Sequence, residues 1–167
     1  MIVVSNTSPL TNLAAIGQLE LLPTLFKQVH IPGSVWEELH AGGVAWPGHA
    51  DVDAANWVVR ARVKEGPLLK DLMSDLGPGE AEAIVLALDL KADLVLLDEK
   101  EGRRKAGRVG LRVMGVGGVL LAAKAQRHLP EIRPCLEALR EAAGFYLSNP
   151  VYQALLVAAG ETPPSLP

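Results

Sequence analysis

The chain has only one cysteine, few aromatic residues and no long apolar run. Cys135 has no second cysteine to pair with, so an intramolecular disulfide is excluded, which is typical of a reducing cytoplasm. Aromatic residues make up only 4% of the chain, so the core must be built from Leu, Val, Ile and Ala. No stretch approaches the ~20 apolar residues of a membrane helix, and the start lacks the basic region of a signal peptide. We therefore expect a cytoplasmic protein.

The sequence also lacks the motifs of several common enzyme classes. It has no G-K-[ST] phosphate-binding motif and no Ser-His-Asp arrangement, and the late GVGG stretch does not complete a G-x-G-x-x-G fingerprint. Sixteen basic and 19 acidic side chains give a net charge of −3, so any contact with nucleic acid must come from a local patch. The histidines are scattered, and none has the spacing of a metal ligand: His30, His40, His49 and His128.

What the sequence does contain is a regular alternation of strand-like and helix-like segments. Short β-branched or apolar runs such as IVV, VHI, WVVRARV, LVLL and RVM are separated by segments with helical periodicity. This order predicts an α/β fold in layers around a parallel sheet. A chain of 167 residues is long enough for one domain with a substantial core. We expect a single domain over residues 1–160 and a disordered tail over 161–167.

Two neighbouring segments carry the strongest structural predictions. Residues 80–91, EAEAIVLALDLK, are apolar nearly all round, which predicts an inner, buried helix. Residues 94–97, LVLL, form a continuous apolar run of the kind found in parallel strands that are covered on both faces. By contrast, residues 41–56 contain Gly, Pro and two Asp and predict a loop.

Polar residues close two of the predicted strands. The first strand ends in Ser5-Asn6-Thr7, and the fourth ends in Asp98-Glu99. Ligands of open parallel sheets bind outside the carboxyl ends of the strands. If the two strands are neighbours, Asn6 and Asp98 therefore face the same crevice. Asp98 is the harder of the two to explain structurally, because a carboxylate that closes a fully apolar strand needs a partner.

Further carboxylates lie where the fold could bring them to this edge. Glu37 and Glu38 follow the second strand, and Glu80 and Glu82 begin the buried helix. Clustered carboxylates suit Mg²⁺, which prefers oxygen ligands and can activate water for attack on phosphorus. The structural alternatives are simple: a helix N-terminus favours Glu80 and Glu82 through its dipole, and the other pair can be solvated helix charge.

A basic segment follows Asp98 directly. KEGRRKAGRVGLR holds six cationic residues in a chain that is acidic overall: Lys100, Arg103, Arg104, Lys105, Arg108 and Arg112. Such a patch can position the phosphate backbone of a nucleic acid. The alternative is the exposed face of an amphipathic helix.

Four segments in this order resemble the PIN-like domains: MIVVSNTSPL, IPGSVWEEL, GPGEAEAIVLAL and DLVLLDEKEGRRKA. The resemblance covers roughly residues 1–160, and its nearest branch consists of prokaryotic predicted nucleic-acid-binding proteins of unknown function. GEAEAI and LLDEKEGRR are its most specific parts. The family resembles Mg²⁺- or Mn²⁺-dependent ribonucleases, including VapC-type toxins that a small antitoxin restrains. The resemblance therefore implies a three-layer α/β/α fold, a Mg²⁺ or Mn²⁺ cofactor, RNA as partner, an antitoxin and a homodimer.

The resemblance also implies roles for individual residues. The expected catalytic and metal-binding residues are Asn6, Glu38 (or its neighbour Glu37), Glu80 and Asp98, supplemented by Glu82, Glu99 and Glu101. The expected nucleic-acid contacts are Thr7, Ser8, Lys100, Arg103, Arg104, Lys105 and Arg108. Asn6 departs from the family pattern, which has aspartate there. An amide oxygen can ligate a metal but brings no charge, so metal affinity and activity should both be weakened.

Three functions are therefore open at this stage. The first is a metal-dependent ribonuclease with activity weakened by Asn6, and a toxin component is one form of this function. The second is a non-catalytic PIN-like module that binds nucleic acid or protein. The third is an unrelated doubly wound domain that binds a small molecule.

Overall fold

The computed structural model describes residues 1–41 and 48–162. Five strands in this part of the chain form one parallel sheet. They are β1 (Val3–Ser5), β2 (Val29–Pro32), β3 (Val58–Ala61), β4 (Leu94–Leu96) and β5 (Val113–Met114). Their order across the sheet is β3-β2-β1-β4-β5, so β1 is central and the chain winds outward in both directions. The predicted α/β/α fold with a parallel sheet is confirmed.

Helices cover both faces of the sheet. They are α1 (Thr7–Ala15), α2 (Leu21–Phe26), α3 (Gly33–His40), α4 (His49–Asp53), α5 (Pro67–Met73), α6 (Pro78–Asp89), α7 (Lys100–Arg108), α8 (Val116–Ala125), α9 (Arg133–Glu141) and α10 (Asn149–Ala158). None of these described helices is long and apolar enough to cross a membrane. The predicted loop over 41–56 was wrong at α4, where a short helix forms because it buries Val52. The middle of that loop, residues 42–47, lies outside the described residues.

Alternate residues of the central strands enter two separate cores. Val3, Leu94 and Leu96 pack in one core with α1, α2, α8 and α9. Val4 and Val95 point to the opposite face, where α5 and α6 cover them. This alternation follows from the period of two of a strand, and it explains why LVLL is apolar throughout.

Helix α6 is the buried inner helix that the sequence predicts. It begins with Pro78 at its first position, where the missing N–H is not needed. Ala81, Ala83 and Ile84 are fully buried, and the small alanines allow the helix to lie close to the sheet. This packing fixes the N-terminal turn of α6, which carries Glu80, at the carboxyl edge of the strands.

The chain after α10 is tied to the domain at Glu161. Its carboxylate accepts hydrogen bonds from the backbone N–H of Ile132 at 2.8 Å and of Arg133 at 3.2 Å, and from Lys124 Nζ at 3.0 Å. Glu161 is the first residue of the tail that the sequence predicts to be disordered. Residues 163–167 of that tail lie outside the described residues.

Candidate metal and nucleic-acid site

The carboxyl ends of β1 and β4 lie side by side. Ser5 pairs with Leu96, and the backbone N–H of Asn6 donates to the Leu96 carbonyl at 3.2 Å. The condition for Asn6 and Asp98 to share a crevice is therefore met. Asn6 is buried and directly precedes α1 as its N-cap residue. Its side-chain oxygen accepts a hydrogen bond from the backbone N–H of Ser8 at 3.3 Å. Asn6 thus has a structural role as the N-cap of this helix.

Asp98 is held by the start of α8. Its Oδ1 accepts a hydrogen bond of 2.8 Å from the backbone N–H of Val116, the first residue of that helix. A Cβ on Gly115 would lie 2.9 Å from Oδ1 and 2.7 Å from Arg103 Nη1, so only glycine allows this close approach. The GVGG stretch therefore lets the N-terminus of α8 meet the carboxylate, which the helix dipole favours.

The second oxygen of Asp98 is buried without a hydrogen-bond partner in the described part of the chain. Burial raises the pKa of Asp98 to about 6, although the Val116 N–H, the charge of Arg103 and the Asn12 amide each oppose the rise. A nearby charge from Glu99 raises it further. An anion in this position is incompletely compensated by the protein, and a bound cation would supply the missing charge.

Glu38 joins three helices at the same edge. Its Oε2 accepts from the Thr7 hydroxyl of α1 at 2.5 Å, and its Oε1 accepts from the backbone N–H of Gly79 in α6 at 3.1 Å. Both glutamates of α3 are exposed, but Glu37 takes no part in these contacts. Glu38 is thus the glutamate of this pair that contacts α1 and α6, and the Thr7 hydroxyl holds its carboxylate.

Glu80 has a second orphaned oxygen. Its Oε2 is buried and has no hydrogen-bond partner among the described residues. It lies against α7, where a Cβ on Gly102 would come within 2.5 Å of it. Burial raises the pKa of Glu80, and the charges of Glu99 and Glu38 raise it further. Glu80 and Glu38 both lie at the N-terminal turn of α6, where the Gly79 N–H donates to Glu38.

We call Glu38, Glu80, Asp98 and Glu99 the carboxylate site. The negative charge of Glu99 raises the pKa of both Glu80 and Asp98, so it acts on both carboxyl groups. Oxygen donors with two unpartnered buried atoms fit a hard cation such as Mg²⁺ or Mn²⁺. Two supplementary candidates are engaged elsewhere: Glu82 accepts from the Ser34 N–H at 3.1 Å, and Glu101 pairs with Arg104.

The basic residues of α7 divide into three groups. Arg103 lies against the carboxylate site, where its Nη1 donates to the Leu97 carbonyl at 3.0 Å. Arg104 and Lys105 are already paired with acids, namely Glu101 and Asp75. Two exposed cations have no ion pair among the described residues: Lys100 and Arg108. They are the ones most available to phosphates.

A cavity of about 1040 Å³ opens beside Asp98. Its lining includes Lys100, Arg103 and Arg104 of α7 and residues 145–148 of the segment after α9. Phe145 and Tyr146 belong to that segment, and the Tyr146 side chain is 88% exposed. Sequence reasoning missed this aromatic pair, although two adjacent aromatics in a chain with 4% aromatic residues were a usable indication.

The fold and site together define a parallel α/β protein with carboxylates gathered at the carboxyl edge of the sheet and a cationic helix beside them. The chain belongs to the PIN-domain family DUF3368, whose model matches residues 2–161. PIN domains are generally nucleases and typically use divalent metal ions. The predicted family is therefore confirmed.

The fold is also similar to the solved structure of a PilT N-terminus domain protein from the hyperthermophilic archaeon Sulfolobus solfataricus. The match has a TM-score of 0.53 and 17% identity, and it covers 89% of this chain and 99% of the other. At this identity the likeness concerns the fold alone. No curated protein matches the chain.

Proposed function

We propose that this protein is a metal-dependent endoribonuclease whose Mg²⁺ or Mn²⁺ is held by the carboxylate site together with Asn6. The observation that supports the proposal is the pair of buried, unpartnered oxygens, Glu80 Oε2 and Asp98 Oδ2. Leaving a buried anion without a partner is costly, and both carboxyls respond with raised pKa values. A divalent cation bound at these oxygens would remove that cost.

The residues around the carboxylate site suit phosphodiester hydrolysis. When bound, the metal would supply an activated water and offset the charge that develops on phosphorus. Arg103 keeps a cation beside Asp98, where a phosphate would approach the site. Thr7 and the Gly79 N–H fix both oxygens of Glu38 and so orient one wall of the site.

The RNA would lie along α7 and the adjoining cavity. Lys100 and Arg108 are exposed cations for the phosphate backbone, and such contacts position a strand without reading its sequence. Tyr146 offers an exposed ring in the lining of the cavity, on which an unpaired base can stack. A single-stranded RNA is therefore the substrate class that suits this surface.

Asn6 limits the proposed activity. Its oxygen is neutral and already accepts the N-capping hydrogen bond from Ser8, so it adds little to cation binding. This same observation favours the second candidate, a non-catalytic PIN-like module that binds nucleic acid or protein. The proposal further includes a toxin component restrained by a small antitoxin and a homodimer, which rest on the family resemblance. It also includes a cytoplasmic location, which rests on the single cysteine.

Cleavage of a fluorescent single-stranded RNA tests the proposal. We expect slow cleavage by the purified protein with Mn²⁺, none with EDTA, and a loss of at least tenfold in Glu80→Gln. Glu131→Gln is the matched control, because Glu131 is exposed and remote in sequence from the carboxylate site. RNA binding without Mn²⁺-dependent cleavage, at protein purities that exclude contaminating nucleases, would support the binding module instead.

A further inference from the structure

A second group of metal-ligand side chains lies outside the carboxylate site. His40 ends α3, and His49 and Asp53 are one turn apart on α4. One ligand atom from each of the three lies within 4.8 Å of the other two. The sequence did not predict this group, because the two histidines are nine positions apart and only the fold brings their helices together.

Two close contacts to the Asp53 carboxylate join the three side chains. His40 Nε2 contacts Asp53 Oδ1, and His49 Nδ1 lies 3.5 Å from Asp53 Oδ2. Two ligands of one tetrahedral zinc ion are about 3.3 Å apart, since zinc bonds to nitrogen and oxygen are about 2.0–2.1 Å long. The ring centroids of the two histidines are 5.0 Å apart. Both nitrogens and the carboxylate therefore need only small side-chain movements to reach a common ion.

The backbone already orients one of the histidines. His40 Nδ1 lies 2.7 Å from the Trp36 carbonyl, to which it donates, and this bond directs Nε2 toward Asp53. A hydrogen bond of this kind from the second ring nitrogen is a regular feature of histidines that bind metals, because it fixes the tautomer and the ring. The Trp36 ring also packs on His40 at a centroid distance of 4.2 Å.

We propose that His40, His49 and Asp53 bind a transition-metal cation, with Zn²⁺ as the chemical fit, separately from the carboxylate site. Two imidazoles and one carboxylate suit Zn²⁺ better than Mg²⁺, which prefers oxygen ligands throughout. Three protein ligands leave one position for water, and the partial exposure of the side chains, 28% for His40 and 41% for Asp53, allows a cation to enter. The ion would join α3 to α4 across residues 42–47.

The alternative is that a proton, rather than a metal, holds the group together. The Trp36 carbonyl and the Asp53 carboxylate raise the pKa of His40, so a charged His40 could simply pair with Asp53. The two explanations differ in the role of His49. A metal needs its nitrogen, whereas a His40–Asp53 ion pair does not.

Zinc titration of the tag-free full-length protein by calorimetry separates these explanations. We expect wild type to bind one Zn²⁺ at this group, and His49→Gln to bind it at least about tenfold more weakly, the scale on which even the partners of metal ligands act. His49→Cys, which keeps a zinc ligand, should restore most of the affinity. His128→Gln is the matched control, because His128 is exposed and outside the group. Asp98→Asn tests independence from the carboxylate site: it should remove any zinc bound there and keep the binding event that His49→Gln weakens.

A second readout does not depend on a folded variant. Zn²⁺ should raise the thermal midpoint of wild type, and Co²⁺ should give the visible absorption of a four-coordinate nitrogen and oxygen site. Affinity unchanged in His49→Gln, or a loss of equal size in His128→Gln, would overturn the proposal. So would the absence of both the zinc-dependent shift and the cobalt absorption in wild type.

Discussion

The backbone N–H of Val116 donates to Asp98 Oδ1 at 2.8 Å and leaves the other oxygen of the same carboxylate buried and unpartnered. One oxygen of the carboxylate is thus satisfied by the N-terminus of α8, and the other has no hydrogen-bond partner in the described part of the chain. This division explains how a protein can place an anion at the end of a fully apolar strand. It also leaves a free lone pair where the proposed cation would bind.

The first prediction concerns stability against pH. The pKa of Asp98 is about 6 in the folded protein against 3.8 for an ordinary aspartate, so the folded state holds this proton more tightly than the unfolded state. Stability should therefore fall as pH rises from below about 4 through 6, by about 3 kcal/mol in all for a difference of about two pKa units. Asp98→Asn removes this dependence.

Urea unfolding in EDTA at pH 4 and pH 7.5 measures the effect. The free energy of unfolding of Asp98→Asn minus that of wild type should increase by about 2 kcal/mol between these two pH values, because the unfolded Asp98 is already partly ionised at pH 4. Asp89→Asn, at the exposed C-terminal end of α6, is the control and should give little change. Equal pH dependence of wild type and Asp98→Asn would show that the Asp98 proton is not held as described.

The second prediction concerns the glycines of α7. A Cβ at Gly102 would lie 2.5 Å from Glu80 Oε2, whereas a Cβ at Gly107 would meet no atom within 4 Å. Gly102→Ala should therefore displace Glu80 and weaken Mn²⁺ binding. Gly107→Ala should bind Mn²⁺ normally and gain about 0.5–1 kcal/mol of stability from the better helix former. Calorimetry and thermal unfolding of the two variants, five residues apart on one helix, provide the comparison. Undiminished Mn²⁺ binding by Gly102→Ala would argue against Glu80 as a ligand.

The third prediction restores the missing acid. Aspartate caps a helix as well as asparagine, so Asn6→Asp should keep the hydrogen bond to Ser8 while adding a charge to the cation site. We expect tighter Mn²⁺ binding and faster RNA cleavage. Asn6→Ala separates the two roles, because it should lose about 1 kcal/mol of capping energy without strengthening cation binding. If Asn6→Asp improves neither property, residue 6 does not face the cation.

The fourth prediction ranks the cations of α7. Arg104 is already paired with Glu101, whereas Lys100 has no ion pair among the described residues. Lys100→Ala should therefore lower RNA affinity more than Arg104→Ala, and it should reduce the slope of log affinity against log salt by about 0.7 for one lost phosphate contact. Fluorescence anisotropy at several salt concentrations gives both numbers. Equal effects of the two variants would mean that the helix contributes only through its total charge.

Much of the fold could be predicted from the sequence because its local patterns agree with one another. The all-apolar run before Asp98 and the nearly all-apolar segment after Glu80 correctly indicated a covered strand and a buried helix. The turn of helix at α4 was missed because five residues with one buried side chain, Val52, leave little periodic pattern. Such short elements form through tertiary packing rather than through local propensity.

The candidate site was predictable only in part, because several of its contacts also depend on tertiary packing. Strand-end residues such as Asn6 and Asp98 follow from the rule that ligands bind at the carboxyl edge of a parallel sheet. The Thr7 hydroxyl that holds Glu38 could not be foreseen, because it joins residues 31 positions apart. The approach of His40 to His49 likewise depends on how two helices pack. Contacts of this kind are set by the fold as a whole and leave no spacing rule in the chain.

The most direct test of the central claim is calorimetric titration of Mn²⁺ into wild type and Asp98→Asn at pH 7.5, where Asp98 is ionised. The account predicts binding by wild type in the micromolar to low-millimolar range, loss of that binding in Asp98→Asn and its retention in Asp89→Asn. Wild-type binding that survives unchanged in Asp98→Asn, or no binding by wild type at all, would contradict the claim that the carboxylate site holds a divalent cation.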